Sequence, residues 1–196
     1  VDLRARGVAE MHSTGNKCCH LKGGRVATDG ILATVRDPGD RLGHLLVQMG
    51  VLDERSVQDV LGQQRQTLPF ASIAYLLGYG TEPTLVRALS RQEGVPGVVF
   101  EGSNIDLSLI DSFDPEWLMK QMIFPIHRYE RRLFVAAAQP ARVAAMARQV
   151  EIDHDVTLVI HVALHATLAR AIRSGIAARE SGQQYLVGVD VAPNQV

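Results

Sequence analysis

The sequence predicts an α+β protein in which a four-helix tandem hairpin is followed by a small α/β sandwich. Between residues 40 and 94, apolar residues recur at helical spacing in four short segments that glycines separate. After residue 94, β-like apolar runs alternate with helical segments. We therefore expect a mostly irregular leader over residues 1–39, the helical repeat over 40–94, the α/β part over 95–176 and a flexible tail over 177–196.

The first hairpin begins with the segment RLGHLLVQMG. Its leucines and Met49 fall on one helical face, and Gly50 stands where a left-handed glycine commonly ends a helix. Asp53 is then well placed to cap a second helix, whose sequence is ERSVQDVLGQQRQ.

The second hairpin repeats the first. Sliding the sequence by 28 residues brings Arg41–Gln64 onto Pro69–Gln92. The matched pairs are Gly50 with Gly78, Asp53 with Thr81, Glu54 with Glu82, Leu61 with Leu89, and Gln64 with Gln92. Because the glycine, the cap and the leucines coincide in one register, a duplication is favoured over chance similarity. Neither hairpin can bury its apolar face alone, so the two units should pack on each other.

The segment after the repeat has the pattern of a small α/β unit. Asp114, Pro115 and Glu116 form the start of a helix that ends near Gln121. MIFPIHRY and RRLFVAAA are two strands of a hairpin, and ARVAAMARQV is an amphipathic helix. DVTLVIHVAL supplies a further strand and HATLARAIRSG a last helix. The order helix, strand, strand, helix, strand, helix indicates a small sheet with helices packed on it.

Composition and motifs disfavour several classes of function. The 196 residues carry 20 Lys and Arg against 21 Asp and Glu, a balance that disfavours binding to nucleic-acid polymers. No glycine is followed by lysine, so this sequence lacks the phosphate loop of nucleoside triphosphatases. Paired acids such as Asp106 and Asp111 fall in loop-like sequence, which does not favour a catalytic role for them. No recognisable catalytic motif occurs elsewhere in the sequence. The sequence therefore predicts a protein that is not an enzyme.

Histidines and cysteines give little support for a metal site. His12, Cys18, Cys19 and His20 lie close together, but adjacent cysteines do not match the paired spacing of structural zinc sites. We predict no metal and no cofactor. The adjacent cysteines, the absence of a secretory signal and the lack of a long apolar run predict a reduced, cytoplasmic protein without direct membrane insertion.

A tandem hairpin can build two similar half-sites about an approximate two-fold axis, which suits a two-fold symmetric ligand. Arg41 can pair with a phosphate or a guanine edge, and Gly43 can let the backbone approach the ligand. Apolar side chains of both units can cover purine faces, and terminal glutamines can bond base edges. These residues are Leu42, Val57, Leu61, Gln64, Phe70, Leu85, Leu89 and Gln92. The alternative is that the apolar residues are simply the core of a helical bundle and the glutamines are helix ends.

The segment RLGHLLVQMGVLDERSVQDVLGQQ is similar to the motif RLGxxLxxxGxxxxxxLxxxLxxQ of the MshEN-type cyclic-di-GMP-binding domains. In this family the domains stand at the N-terminus of type II secretion and type IV pilus assembly ATPases. The family's 24-residue motif, five-residue spacer and 23-residue motif correspond here to Arg41–Gln64, Arg65–Pro69 and Phe70–Gln92. The following EGVPGVVF and the run from PEWLMKQMIFPIHRY to RRLFVAAAQP resemble the family's α/β subdomain.

The resemblance implies a ligand site shared by the two units. The first half-site would consist of Arg41, Leu42, Gly43, Val57, Leu61 and Gln64, and the second of Phe70, Leu85, Leu89 and Gln92. The second unit departs from the family pattern, because Phe70 and Ala71 replace Leu-Gly and Ala74 replaces a leucine. The methyl group of Ala71 can obstruct close approach of a ligand, and with Pro69 before Phe70 no second arginine is available. The first half-site is therefore near-intact and the second is degraded.

The resemblance implies a non-enzymatic regulatory module that senses cyclic-di-GMP and contacts a protein of the secretion or pilus machinery. The alternative is a ligand-free docking module for secretion, pilus or signalling machinery. Both functions fit a cytoplasmic protein.

Overall fold

The computed structural model describes residues 42–63 and 68–188. The helices are α1 (Leu42–Gln48), α2 (Glu54–Gln63), α3 (Phe70–Leu76), α4 (Glu82–Glu93), α5 (Pro115–Gln121), α6 (Pro140–His154) and α7 (His165–Glu180), with a short 3-10 helix at Leu107–Ile110. The strands are β1 (Asn104–Asp106), β2 (Ile123–Tyr129), β3 (Arg132–Ala137), β4 (Thr157–Val162) and β5 (Tyr185–Val187). The predicted α+β class is confirmed. No helix in the described ranges is long and apolar enough to cross a membrane.

The two hairpins repeat in their backbone as well as in their sequence. Helices α1 and α3 have seven residues each and begin 28 positions apart, as do the starts of α2 and α4. The amide of Gly50 donates to the carbonyl of Val47 at 2.9 Å, and the amide of Gly78 donates to that of Tyr75 at 3.0 Å. Both glycines have the left-handed φ that ends a helix, at 68° and 76°.

The caps of the second helix in each hairpin differ. A carboxylate oxygen of Asp53 accepts the amide of Ser56 at 2.8 Å, which is the predicted cap of α2. The side chain of Thr81 makes no such bond at the start of α4. Instead the hydroxyl of Thr84 donates to the Thr81 carbonyl at 2.8 Å. The predicted side-chain cap at Thr81 is therefore wrong, although α4 begins where it was expected.

The α/β part contains a three-stranded sheet of order β2, β3, β4. Strand β2 pairs antiparallel with β3, and β3 pairs parallel with β4. Neighbouring residues of β3 point to opposite faces, so Val135 packs in a cluster with Val143 of α6, while Ala136 packs in a cluster with Leu168 of α7. The sheet thus lies between α6 and α7, as expected for a small α/β sandwich.

Three features of this part differ from the expectation. Helix α6 continues past the predicted segment to His154 and ends at Asp155, whose φ of 50° is left-handed. Helix α7 continues to Glu180, and β5 pairs antiparallel with β1, so residues 177–187 do not form a flexible tail. The buried Leu186 of β5 anchors this ribbon in the same cluster as Phe124. Residues 1–41, 64–67 and 189–196 lie outside the described structure, and with them the predicted leader.

The described residues all belong to one compact unit. The repeat joins the α/β part through the strand-like segment 96–98, where Val162 of β4 donates to the Pro96 carbonyl at 2.8 Å and accepts the Val98 amide at 2.9 Å. The buried side chain of Leu164, just before α7, packs in the helical cluster of the repeat.

Two polar groups of the repeat also bond to the backbone of the α/β part. The hydroxyl of Ser72 in α3 accepts the amide of Ala166 at 3.1 Å. The carboxylate of Glu82 in α4 accepts the amides of Phe100 and Glu101, each at 3.3 Å.

Candidate functional site

The four helices of the repeat exchange partners between the units. Helix α1 packs on α4, α2 packs on α3, and α1 also contacts α3. If the two hairpins are exchanged, the α1–α4 contact becomes the α3–α2 contact, so the bundle has an approximate two-fold arrangement. Such an arrangement can present two similar surfaces to one ligand.

Gly43, Val57 and Phe70 come together at the meeting of α1, α2 and α3. A Cβ atom added to Gly43 would lie 3.3 Å from Cγ1 of Val57 and 3.4 Å from Cζ of Phe70. The side chains of Val57 and Phe70 therefore cover the face of Gly43 on which its missing side chain would point. Glycine at this position allows α1 to approach the other two helices closely.

The other predicted site residues divide by their exposure. Ala71 and Leu85 are fully buried in the apolar cluster of the repeat, so they support the bundle from inside. Leu42 and Leu89 are partly buried against that cluster, and Gln92 is half-buried. Leu61 is 44% exposed and is the most accessible apolar member of the set. Arg41 and Gln64 lie outside the described residues.

A hydrogen bond that the sequence did not suggest joins the two units. The hydroxyl of Tyr79, in the turn between α3 and α4, donates to the carboxylate of Asp59 in α2. This bond to the carboxylate raises the pKa of the Tyr79 phenol. In α2 itself, the hydrogen bonds from Ser56 lower the pKa of Asp53. Both carboxylates are thus held as acceptors at the surface of the repeat.

Cationic side chains in the described repeat are few. Arg55, Arg87 and Arg91 are exposed, and none of them pairs with a carboxylate in the described structure. A phosphate-containing ligand is held by one or two correctly positioned cationic side chains rather than by a generally basic surface. In the sequence, Arg41 of the motif is the residue predicted to bind the phosphate.

The acidic pair of the α/β part is structural. Asp106 accepts the amide of Ser108 at 2.9 Å at the start of the 3-10 helix, and hydrogen bonds from Ser108 lower its pKa. Asp111 accepts two N–H groups of Arg179, one of them at 2.7 Å from Nε, and these bonds lower its pKa. Asp106 therefore supports the local turn, and Asp111 links the end of the 3-10 helix to α7.

The histidines of the α/β part do not form a ligand pair on one helix. His161 lies in β4 and His165 is the first residue of α7. Burial lowers the pKa of both imidazoles. Over residues 42–63 and 68–188, no group of three His, Cys, Asp or Glu side chains is placed to hold a metal ion. The cluster around Cys18 and Cys19 lies outside these ranges.

A second candidate surface lies on the α/β part. Two grooves of about 460 and 350 Å³ share Phe113 and His154 in their walls. The ring of Phe113 lies 4.3 Å from that of His154 and 5.9 Å from that of Trp117, between centroids. Asp114 and Asp153 also line the smaller groove. The grooves offer an aromatic floor with carboxylates beside it.

Comparison with known families gives a match over the α/β part. Residues 93–180 match the family model of the MshEN domain. The predicted resemblance to the MshEN family is confirmed. The matched range runs from the last residue of α4 to the last residue of α7, so it covers the three-stranded sheet and its flanking helices.

Solved structures also match this chain. A structure of MshE with cdg (cyclic-di-GMP) has a TM-score of 0.49 and 21% identity, and the match covers 69% of this chain and 98% of that one. A structure of the N-terminal domain of XpsE has a TM-score of 0.45 and 16% identity, covering 71% and 96%. A second crystal form of that domain has a TM-score of 0.38 and 17% identity, covering 71% and 97%. Comparison with curated proteins gives no match.

Proposed function

We propose that this protein is a non-enzymatic regulatory module of the MshEN type that binds cyclic-di-GMP on its helical repeat. The observation that carries the proposal is the approximate two-fold arrangement of two hairpins, the first of which bears the RLG motif at Arg41, Leu42 and Gly43. A two-fold symmetric dinucleotide matches two related half-sites. Its protein partner would belong to the secretion or pilus machinery, in the cytoplasm.

We expect the two half-sites to contribute unequally. In the first unit, Leu42 and Leu61 retain accessible apolar surface that can contact a base. In the second unit, Ala71 and Leu85 are buried and lie away from solvent. Leu89 and Gln92 keep partial exposure there. A ligand would therefore be held mainly by the first unit, including Arg41. Its affinity should be below that of a site with two intact halves.

A calorimetric and thermal titration of the full chain with cyclic-di-GMP tests this proposal. Ligand at 100 times its Kd should add about 2.7 kcal/mol of stability, which raises Tm by a few degrees for a domain of this size. Arg41→Ala should remove most of the shift, because it removes the bidentate donor. Arg87→Ala, which changes an exposed arginine of α4, serves as the matched control and should leave the shift intact.

The titration also has a clear contrary result. If cyclic-di-GMP at high micromolar concentration leaves Tm unchanged, the sensor function is excluded. If 5′-GMP gives the same shift as the cyclic dinucleotide, recognition of a two-fold symmetric ligand is excluded, since the monomer has one base and one phosphate.

A second function, docking without a ligand, is favoured by the aromatic groove around Phe113 and Trp117. Its apolar floor and the nearby Asp114 and Asp153 suit a partner segment with an apolar anchor and a basic residue. Immobilised full chain should then retain the same partner with and without cyclic-di-GMP. Trp117→Ala, at a half-buried residue of the groove wall, should lose that partner, whereas Tyr185→Ala, at an exposed aromatic residue outside the groove, should not. Retention by both variants would contradict docking in this groove.

A further inference from the structure

We propose that the two units of the repeat have divided roles: the second unit anchors the repeat to the α/β part through Ser72 and Glu82, and the first unit is the hairpin that responds to binding. Ser72 and Glu82 act as positioning residues, since they hold backbone groups of the α/β part rather than a ligand. The response of the first unit to a ligand rests on the proposed function, whereas the anchoring by the second unit does not.

Glu82 and Glu54 occupy the same position of the repeat but have different surroundings. Glu54 is exposed at the start of α2, whereas Glu82 is 4% exposed at the start of α4. A buried carboxylate is costly unless hydrogen bonds compensate it, and the amides of Phe100 and Glu101 donate to the carboxylate of Glu82. These two amides belong to the segment by which the chain enters the α/β part. The buried carboxylate of Glu82 therefore holds this segment against the start of α4.

Ser72 and His44 form a second matched pair. His44 is exposed in α1, and its ring lies 2.8 Å from the side-chain amide of Gln48 in the same helix. Ser72 is completely buried in α3, and its hydroxyl accepts the amide of Ala166 in the first turn of α7. The first amides of a helix have no partner within it, and Leu164 at the N-cap of α7 cannot supply one from its side chain. Ser72 thus caps a helix of the other part.

The packing has the same asymmetry as the hydrogen bonds. Helix α3 packs on α7, and α4 packs on β4. The chief contacts of α1 and α2 are with α3 and α4, within the repeat. The first hairpin therefore reaches the α/β part through the second. A movement of α1 and α2 that displaces α3 would reach α7 through the hydroxyl of Ser72.

Site-resolved amide hydrogen exchange on the full chain tests the anchoring. Ser72→Ala should speed exchange at the amide of Ala166 about 2- to 10-fold, and Glu82→Ala should speed exchange at Phe100 and Glu101 at least about 10-fold, relative to a core amide such as that of Phe124. Glu82→Gln, which keeps an acceptor oxygen, should give an intermediate rate and replaces Glu82→Ala if that variant fails to fold.

The matched controls change the equivalent positions of the first unit. His44→Ala and Glu54→Ala should leave exchange at residues 100, 101 and 166 within twofold of the original protein. The division of roles is overturned if these controls accelerate the same amides as much as the second-unit variants do. It is also overturned if neither Ser72→Ala nor Glu82→Gln changes the local rates.

Exchange in the presence of cyclic-di-GMP tests the transmission. Ligand should slow exchange both in residues 42–63 and at Ala166. In Ser72→Ala the slowing should persist in residues 42–63 and disappear at Ala166, a separation that general destabilisation does not produce. Equal protection of Ala166 in both proteins would overturn transmission through the hydroxyl. If the original protein binds no cyclic-di-GMP, the proposed function fails, while the matched ligand-free variants still decide the anchoring.

Discussion

Gly97 lies against Val86 so closely that a Cβ atom added to the glycine would be 2.4 Å from Cγ1 of the valine and 3.3 Å from its carbonyl oxygen. The glycine belongs to the segment that pairs with β4, and Val86 is buried in α4. The contact therefore stands at the junction between the repeat and the α/β part, where the backbone of one part passes directly over a helix of the other.

Gly97→Ala should destabilise the protein by about 1–3 kcal/mol, because the added methyl group meets both a side chain and the backbone of α4. Urea denaturation followed by circular dichroism measures the loss. Val86→Ala in the same chain should recover part of it. Gly62→Ala provides the control, since nothing lies within 4 Å of the added atom and α2 should gain up to about 1 kcal/mol. Equal stability of Gly97→Ala and the original protein would contradict the close contact.

Gly175→Ala should also destabilise, although it lies inside α7, where alanine is the better helix former. The added atom would lie 2.7 Å from Cζ of Phe124 and 3.3 Å from Cδ2 of Leu107, both in the core. Overpacking costs about 1–3 kcal/mol, which outweighs the helical gain of about 1 kcal/mol. The double variant with Phe124→Leu should lose less than the sum of the two single changes in a denaturation series. A net gain in stability from Gly175→Ala would show that Phe124 has room to move.

His165 should make the protein less stable as the pH falls from 7.5 to 5.5. Burial lowers its pKa from 6.5, and Nδ1 is buried without a hydrogen-bond partner. At a pH between the folded and unfolded pKa values of His165, the unfolded chain binds more protons than the folded protein. The free energy of unfolding is therefore highest above the unfolded pKa and falls as the pH drops toward the folded pKa. His165→Gln should flatten the dependence of the urea midpoint on pH, and His161→Gln should act in the same direction. An unchanged slope in the double variant would contradict this assignment.

The ion pair of Asp111 and Arg179 should stabilise the protein at neutral pH and lose its effect in acid. Its hydrogen bonds lower the pKa of Asp111, so the contribution is present above the unfolded pKa of about 3.9 and disappears as the pH falls through the folded value. Asp111→Asn should lower the urea midpoint at pH 7 and reduce its loss in acid.

Asp155→Asn is the matched control for this ion pair. Asp155 pairs with Arg131, but their side chains are 77% and 74% exposed, against 49% and 33% for Asp111 and Arg179. Asparagine tolerates the left-handed backbone at residue 155, so the change should be the milder of the two. An equal or larger effect of Asp155→Asn would contradict a special role of the less exposed pair.

The sequence was sufficient to predict elements whose ends have strong local signals. Gly50 and Gly78 end helices, Asp53 and Asp114 cap them, and the hairpin of β2 and β3 follows from two apolar runs. Strands β1 and β5 have three residues each and bury only their central ones, which is too short for a visible alternation. The end of α7 was missed because its last turns are polar and contain Gly175, which resembles a helix stop.

The site was less predictable, because burial in a bundle depends on which faces the hairpins turn toward each other. Leu85 and Leu61 are both apolar helix residues of the family motif, yet one is buried and the other is exposed. The roles of Ser72 and Glu82 were hidden for another reason. The amide that Ser72 accepts comes from a residue 94 positions later, so no local pattern around the serine could have indicated it.

The pairing of β1 with β5 determines which parts of the protein can fold first during synthesis. Asn104 pairs with Val187, so the ribbon closes only after the ribosome has synthesised nearly the whole described chain. The contacts among α1, α2, α3 and α4 are local by comparison, and local contacts form fastest. During synthesis, the repeat can therefore pack before the α/β part to which it is anchored has been made. The hydroxyl of Ser72 stays hydrated until Ala166 has been synthesised and its amide can donate to that hydroxyl.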